Sequence, residues 1–476
     1  MKIALVYPPF LNSIQTTVPD FVNDNEGFFQ PLGILYLASY LKEHEKGCDI
    51  LVVDAVAEGL NHLQVGQRLA DFSPDVVGIS CWTFSLIDSI KVAGEAKARV
   101  PKAHVCLGGP HATIYPEETA SFKDVDFVIT GDGERPFAEL IRQLSGKRDF
   151  NLVPNLYHKT GGAVKKSPLA HVERDLDGLP FPDRKLVSMK NYHSIIDKGE
   201  IITTMITSRG CPFQCRFCLQ QNTGWRYREI PGIIEEMRQC IDSGIKNFFI
   251  FDETFTVNKK RILDLCDEII RRKMRINWSC RSRVDTIDGE IMDRMKAAGC
   301  SRISFGVESA SDEVLKQLNK KISIARAKET FRTAKSKKLI TLADFMIGCP
   351  GEDRKATSDT VKLALELDPD YVQFTLFTLF PATELYEEAL AKGIVKTDVW
   401  LGYARQPGAD FKPPIWNIYN EDEARELVVG AYKKFYLRIS YIFKRLIKTG
   451  SADELGKYVR AGLGLIKALF DRRKGQ

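Results

Sequence analysis

The sequence predicts an α/β protein: a doubly wound, Rossmann-like parallel sheet, then a partial (β/α)6 barrel, then a helical segment. Three observations predict it. Short apolar runs alternate with helical patterns over the first 150 residues, the rhythm of a parallel sheet covered on both faces. A second series of six strand–helix units starts at Ile201 with no obvious antiparallel pairing, which suggests a barrel or part of one. Beyond Gly393 the strand pattern ends and helical spacing takes over.

In the first series, Lys2–Val6 is an apolar run stopped by Tyr7-Pro8-Pro9 and reads as a buried strand. Gly33–Lys42 is a helix and Cys48–Val53 a strand. Leu60–Leu69 is a helix, and Val76–Ser80, His104–Leu107 and Phe127–Thr130 are strands separated by helices at Ile87–Val100 and Pro136–Leu144. Residues 1–150 form this domain. From 151 to 195, Gly161-Gly162, Pro168, Pro180 and Pro182 break the pattern and predict a linker with one hairpin. The barrel, residues 196–395, takes its strands from Ile201–Thr207, Asn247–Phe251, Arg275–Ser279, Arg302–Phe305, Leu342–Ile347 and Tyr371–Leu376. Residues 396–476 make a C-terminal segment, with one helix from about Glu421 to Lys448 and another at Leu455–Phe470.

Composition narrows the function. Of 476 residues, 44% are hydrophobic and 27% charged, ordinary values that exclude disorder and small disulfide scaffolds. The net charge of +6 is concentrated at one end: Ala431–Gln476 holds 12 basic and 3 acidic residues. The rest is near neutral, which argues against a nucleic-acid enzyme with a basic stripe across its fold. No apolar stretch reaches the roughly 18 residues of a membrane span, and Met1–Val6 is too short for a signal sequence. The expected location is therefore the cytoplasm, with the 11 cysteines as thiols. Eight of them are scattered singly and read as buried core residues.

The other three form Cys211-Pro212-Phe213-Gln214-Cys215-Arg216-Phe217-Cys218, directly after the strand Ile201–Thr207. Zinc sites usually close with four ligands. Here no fourth Cys follows nearby and no His occurs after His193. Three thiolates on a [4Fe–4S] cluster leave one iron open to a small molecule.

This Cys-x3-Cys-x-aromatic-Cys pattern resembles the signature of the radical S-adenosylmethionine (SAM) superfamily. The resemblance implies that Cys211, Cys215 and Cys218 bind a [4Fe–4S] cluster, and that Phe217 packs near the SAM adenine. It continues along the chain. Asp252-Glu253-Thr254 stands where the family has a Gly-Gly-Glu-like motif on the methionine amino group. Glu308 matches the ribose-contacting position. Phe345–Glu352, with Met346 and Gly348, resembles the segment whose backbone meets adenine. Pro381-Ala382-Thr383-Glu384-Leu385-Tyr386 resembles the Pro-Gly-Thr-x-Leu-Tyr turn. Arg281 and Arg283 end the third barrel strand, where they hold a SAM carboxylate or a substrate anion, or serve as surface ion pairs; Asp285 has no assigned role.

A doubly wound domain ahead of such a barrel resembles the cobalamin-binding branch of this superfamily. Where cobalt-ligating domains carry Asp-x-His-x-x-Gly, this chain has Asp54-Ala55-Val56-Ala57-Glu58-Gly59. With Val56 at the His position, the resemblance implies cobalamin with no protein histidine on cobalt. Ser80, Thr83, Gly108, Gly109, Gly131, Gly133 and Glu134, at strand carboxyl ends, are the expected cobalamin contacts. The alternative is a flavodoxin-like sheet that binds another nucleotide or nothing. No Gly-x-Gly-x-x-Gly opens a helix after the first strand, which argues against a dinucleotide.

The resemblance implies an enzyme that cleaves SAM to a 5′-deoxyadenosyl radical and methylates an unactivated carbon of a small-molecule or lipid-like substrate. An electron-donor reductase is its implied partner. The alternative is an oxidative cyclase, rearrangement or coupling enzyme with the same cofactors, like the anaerobic magnesium-protoporphyrin ester cyclase. A non-enzymatic cofactor carrier is disfavoured by the intact cysteine triplet. In the C-terminal segment, Val428, Ala431, Tyr432, Phe435, Ile439, Ile442, Phe443 and Leu446 fall at helical spacing beside basic residues. Three readings stand: a helix packed on the barrel, a peripheral membrane contact through residues 421–476, or a surface for an anionic partner.

Overall fold

A computed structural model describes residues 1–14, 28–193, 200–219, 224–416 and 418–448. It divides into two compact units. Unit one comprises the described residues of Met1–Gln15, Phe28–Tyr192 and Thr397–Pro413; unit two comprises those of His193–Lys396 and Pro414–Gln476.

Unit one is built on β1 (Lys2–Tyr7), α1 (Leu32–His44), β2 (Asp49–Asp54), α2 (His62–Phe72), β3 (Val76–Ser80), α3 (Leu86–Arg99), β4 (His104–Gly108), the short α4 (Pro110–Ile114) and α5 (Pro116–Ser121), β5 (Phe127–Ile129) and α6 (Glu134–Ser145). A hairpin follows, β6 (Leu156–Thr160) and β7 (Ala163–Lys166). The sheet order is β2-β1-β3-β4-β5-β6-β7. Strands β1 to β5 are parallel, and the hairpin adds antiparallel to β5. Ile3, Ala4, Leu5 and Val6 are buried, as a central parallel strand covered on both faces requires. Helix α2 starts in a capping box: Asn61 accepts from Gln64 N at 3.0 Å and Gln64 accepts from Asn61 N at 2.9 Å.

Two expected boundaries shift. Part of the stretch read as linker completes this sheet, because Leu156, Tyr157 and His158 bury against it. The segment after residue 396, read as one C-terminal piece, is split. Thr397–Pro413 returns to unit one through α14 (Val399–Arg405), whose Trp400 and Tyr403 rings pack at a tilt against Phe411 at 4.8 and 4.3 Å. Arg405 pairs there with Glu118 of α5 at 3.4 Å.

Unit two carries β8 (Ile202–Met205), the two-residue ribbon strands β9 (Ser208–Arg209) and β10 (Arg226–Tyr227), α7 (Ile230–Asp242), β11 (Asn247–Ile250), α8 (Lys259–Arg271), β12 (Asn277–Ser282), α9 (Gly289–Ala297), β13 (Cys300–Glu308), α10 (Asp312–Gln317), α11 (Ile324–Ser336), β14 (Ile340–Ile347), α12 (Arg354–Leu367), β15 (Tyr371–Leu376) and α13 (Glu384–Ala391). Six strands are parallel in the order β15-β14-β13-β12-β11-β8, and β9 pairs only with β10. Strand follows strand round the sheet, and β15 is not paired to β8: a partial (β/α)6 barrel. Asn258, Asp288, Ser323, Asp353 and Thr383 cap the helices that follow β11, β12, β13, β14 and β15.

The expected helix 421–448 is two: α15 (Glu421–Tyr436) and α16 (Ile439–Lys448), broken at Leu437-Arg438. The apolar stripe of α15 is spent inward, with Val428, Ala431, Tyr432 and Phe435 buried. It also covers the open sheet edge. Phe374 N donates to Tyr432 Oη at 3.1 Å, Val372 N donates to Tyr436 Oη at 3.0 Å, and Tyr436 Oη donates to Val372 O at 2.8 Å. An uncovered edge would present unpaired backbone groups to other chains. The expected helix Leu455–Phe470 lies outside the described residues. Among the described residues no helix is long and apolar enough to cross a membrane.

Candidate active site

The cysteine triplet lies on the loop between β9 and β10, anchored at its base. Arg228 N donates to Thr207 O at 2.9 Å, closing the loop. Asp252, just past β11, accepts from Thr207 N at 2.7 Å, Thr207 Oγ1 at 2.6 Å and Ser208 Oγ at 2.7 Å. Arg261 of α8 donates to Thr207 O at 3.0 Å and Arg228 O at 3.2 Å. Asp252 is buried; burial pushes its carboxyl above the usual range and the three donors oppose this. Expected beside SAM, Asp252 instead sits under the loop with both oxygens engaged, so it positions the loop's start.

The outer half of the loop is pinned to the crossover after β13 and to α13. Arg216 N donates to Leu318 O at 3.1 Å, and Asn319 Nδ2 donates to Gln214 O at 2.6 Å. The Arg216 guanidinium pairs with Glu384 at 2.6 Å and with Glu388. Cys215 is buried, while Cys211 and Cys218 are half-buried. Cys218 N donates to Cys215 O at 3.0 Å, a tight turn. Burial raises the Cys215 thiol, with Lys320 and Arg283 opposing. Among the described residues no three His, Cys, Asp or Glu side chains are already gathered at metal-binding distance. The fold supplies three thiols within eight residues on a loop fixed at both ends. That donor set fits an iron–sulfur cluster with one iron free of protein ligands.

The other expected SAM contacts surround this loop. Glu253 is exposed, yet desolvation and Asp252 raise its carboxyl while Arg281 lowers it. Arg281 is also exposed, with its guanidinium 4.5 Å from the Phe251 ring centre and 5.5 Å from that of Phe249. Its carbonyl accepts from Phe255 N at 3.0 Å, while its guanidinium has no hydrogen bond among the described residues. Glu308 is buried at a bulge in β13, at φ +67°, a costly conformation for a non-glycine residue. It accepts from Lys320 Nζ at 2.6 Å, and Lys320 lies 5.8 Å from the Phe217 ring. Gly306 leaves room for this pair: a Cβ there would meet Glu308 Oε1 at 2.4 Å and Lys320 Nζ at 2.8 Å. Met346 faces the half-exposed side of β14. Gly348 follows it at φ +84°.

Two residues with no role in the sequence reading act here. Glu352 accepts from Gly348 N and Cys349 N, both at 2.8 Å. Gly348 therefore offers a ligand its carbonyl, not its amide. Asp285 holds Arg283 with two contacts of 2.9 Å. Of the eight scattered cysteines, seven are buried and Cys48 is half-buried.

In unit one, the expected cobalamin residues stand at the carboxyl ends of parallel strands. Val56 lies in the turn after β2, Ser80 ends β3, Thr83 opens the next turn, Gly108 ends β4, and Gly131 and Gly133 lead from β5 to the buried Glu134 of α6. The order reverses between β1 and β3, so Tyr7 at the end of β1 and Ser80 at the end of β3 flank the switch point where such sheets bind ligands, with Val56 one strand further out, after β2. Gly109, at φ +111°, lies against β3: a Cβ there would meet Cys81 O at 2.9 Å. Gly131 N donates to Thr113 Oγ1 at 3.0 Å. The sequence reading missed His111, two residues after Gly109. It is fully buried, with Nδ1 3.2 Å from Thr83 Oγ1 and Nε2 unpartnered among the described residues. Desolvation lowers it to about 4. Its only sequence signal is its place at a strand end beside Gly-Gly-Pro.

A radical SAM superfamily model matches residues 205–364, and a B12 binding domain model matches residues 21–141. An uncharacterized methyltransferase of Pyrococcus horikoshii is 34% identical, over 94% of this chain and 95% of its own. The anaerobic magnesium-protoporphyrin IX monomethyl ester cyclase of Rubrivivax gelatinosus is 26% identical, over 94% of this chain and 80% of its own. Among solved structures, the radical SAM methyltransferase TsrM of Kitasatospora setae, with cobalamin and a [4Fe-4S] cluster bound, has a TM-score of 0.73 at 16% identity. It covers 98% of this chain and 99% of that one, and shares the fold.

Proposed function

Because the chain belongs to the radical SAM superfamily, in its B12-binding branch, we propose that it methylates an unactivated carbon of a small-molecule or lipid-like substrate. Its cofactors are a [4Fe-4S] cluster, SAM and cobalamin. When bound, the cluster supplies the electron that splits the SAM sulfonium, and cobalamin supplies a methyl carrier. The observation that carries the reading is one chain holding both a three-thiol loop and a B12-type sheet with Val56 where cobalt-ligating domains have histidine.

The residues take these roles. Cys211, Cys215 and Cys218 hold three irons. Glu253 accepts from the SAM ammonium, and the free face of Arg281 takes the carboxylate. Glu308, with one oxygen on Lys320, turns the other to the ribose. Phe217, Met346 and the Gly348 carbonyl border the adenine. In unit one, Ser80, Thr83, Gly108, Gly109, Gly131 and Gly133 present backbone and small polar groups to the cobalamin edge.

The test is anaerobic reconstitution with iron, sulfide and cobalamin, reduction, and assay with SAM and candidate substrates. Formation of both S-adenosylhomocysteine and 5′-deoxyadenosine supports methylation. Deoxyadenosine alone favours a cyclase or coupling reaction, the reading that the match to the ester cyclase supports. Neither product, with no cobalamin retained, overturns both.

Two partners complete the proposal. A low-potential one-electron reductase feeds the cluster. An anionic membrane surface meets α16: Ile439 is 85% exposed and Phe443 64%, on the side away from the tethers Tyr441–Asp370 and Lys444–Asp368. The surrounding 46 C-terminal residues carry the basic excess. Co-sedimentation with anionic vesicles should be lost in Ile439→Asp and Phe443→Asp. Equal sedimentation of both variants, or none by the parent, returns α16 to a packed helix.

A further inference from the structure

Arg283 follows the end of β12 and is buried. Every side of its guanidinium is in use. Nε and Nη2 donate to Asp285 at 2.9 Å each, and Nη2 also reaches Lys320 O. Its plane lies 4.0 Å from the ring centre of Phe213, inside the cysteine loop. Nη1 points to Cys215 Sγ at 3.6 Å. A surface ion pair has no need of this burial, and a carboxylate-binding arginine would keep a free edge.

We propose that Arg283, oriented by Asp285, is a positioning residue that donates a hydrogen bond to the Cys215 thiolate and raises the reduction potential of the cluster. The proposal rests on the cluster assignment above. One electron passes from the external low-potential donor to the cluster; no bond is made or broken at Arg283. The reduced cluster is more negative by one charge. A cationic N–H aimed at a ligating sulfur stabilises that form more than the oxidised one. Lys320, the other cation near Cys215, is paired with Glu308 at 2.6 Å. That leaves Arg283 as the cation directed at the Cys215 sulfur among the described residues, while Thr254 Oγ1 lies 3.9 Å from the Cys211 sulfur.

The experiment uses the full chain, reconstituted anaerobically, as parent, Arg283→Gln, Arg283→Lys and Asp285→Asn. Iron and sulfide per chain are measured first. A redox titration followed by electron paramagnetic resonance comes next, without SAM. Arg283→Gln should load a cluster that titrates at a more negative potential, with Arg283→Lys between it and the parent. A loaded Arg283→Gln chain at the parental potential overturns the proposal. Should Arg283→Gln fail to load, Asp285→Asn decides. Removing a carboxylate would by charge alone move the potential up, whereas losing the arginine's orientation moves it down. A downward shift supports the proposal, and an upward shift or none overturns it. A parent chain that loads no cluster instead overturns the function proposed above.

Discussion

His111 should make unit one lose stability as the pH falls, by an amount the structure sets. The imidazole is fully buried and held near 4 by desolvation, against 6.5 when free. Between those values the unfolded chain binds a proton that the folded chain refuses. Stability is therefore fully present above about pH 6.5 and is lost as the pH drops toward 4. Each tenfold difference in proton affinity is worth about 1.4 kcal/mol, so the loss across that window is about 3 kcal/mol. That is a large part of the 5–15 kcal/mol typical of a domain. Pulse proteolysis in urea, read on peptides from residues 104–145, would follow unit one from pH 7.5 to 4.5. His111→Gln should flatten the curve by about that amount, whatever its effect at pH 7.5. Equal slopes in parent and variant would refute the reasoning.

Further outcomes follow from the same geometry. Asp252→Ala strands three buried donors; at about 1–3 kcal/mol each, it should lower the melting temperature and cut iron uptake on reconstitution, while Asp252→Asn does less. Gly306→Ala forces Glu308 and Lys320 apart and should weaken SAM binding by calorimetry while leaving iron content unchanged. Gly109→Ala puts a methyl on Cys81 O and should abolish cobalamin retention on gel filtration. Ala382 sits at φ +57°, so Ala382→Gly should stabilise unit two by roughly 1 kcal/mol in thermal melts.

Much of this was legible in the sequence, and the reason is local. Parallel strands buried on both faces read as short apolar runs, so β1 to β5 and the barrel strands were found with small errors at their ends. The cysteine loop was legible because its ligands are adjacent in the chain. The rest depends on contacts between distant residues. Nothing near Arg283 reveals that it would meet Cys215, 68 positions away. The inward stripe of α15 and the outward one of α16 share one periodicity, and only β15 divides them. Asp252 has the residue type expected at a ligand site; Thr207 and Ser208, far upstream, take its oxygens.

The return of Thr397–Pro413 to unit one constrains how the protein is made. Trp400, Tyr403 and Phe411 belong to the first unit's packing but are translated after all six barrel strands. The N-terminal unit therefore waits, its helix α5 incompletely covered, while the entire barrel emerges from the ribosome. A fragment stopped at Lys396 would keep every expected cofactor ligand yet leave the surface beside α5 bare. Ordinary domain dissection should thus give a sticky first unit, whereas joining residues 397–413 to 1–192 by a short linker should restore it.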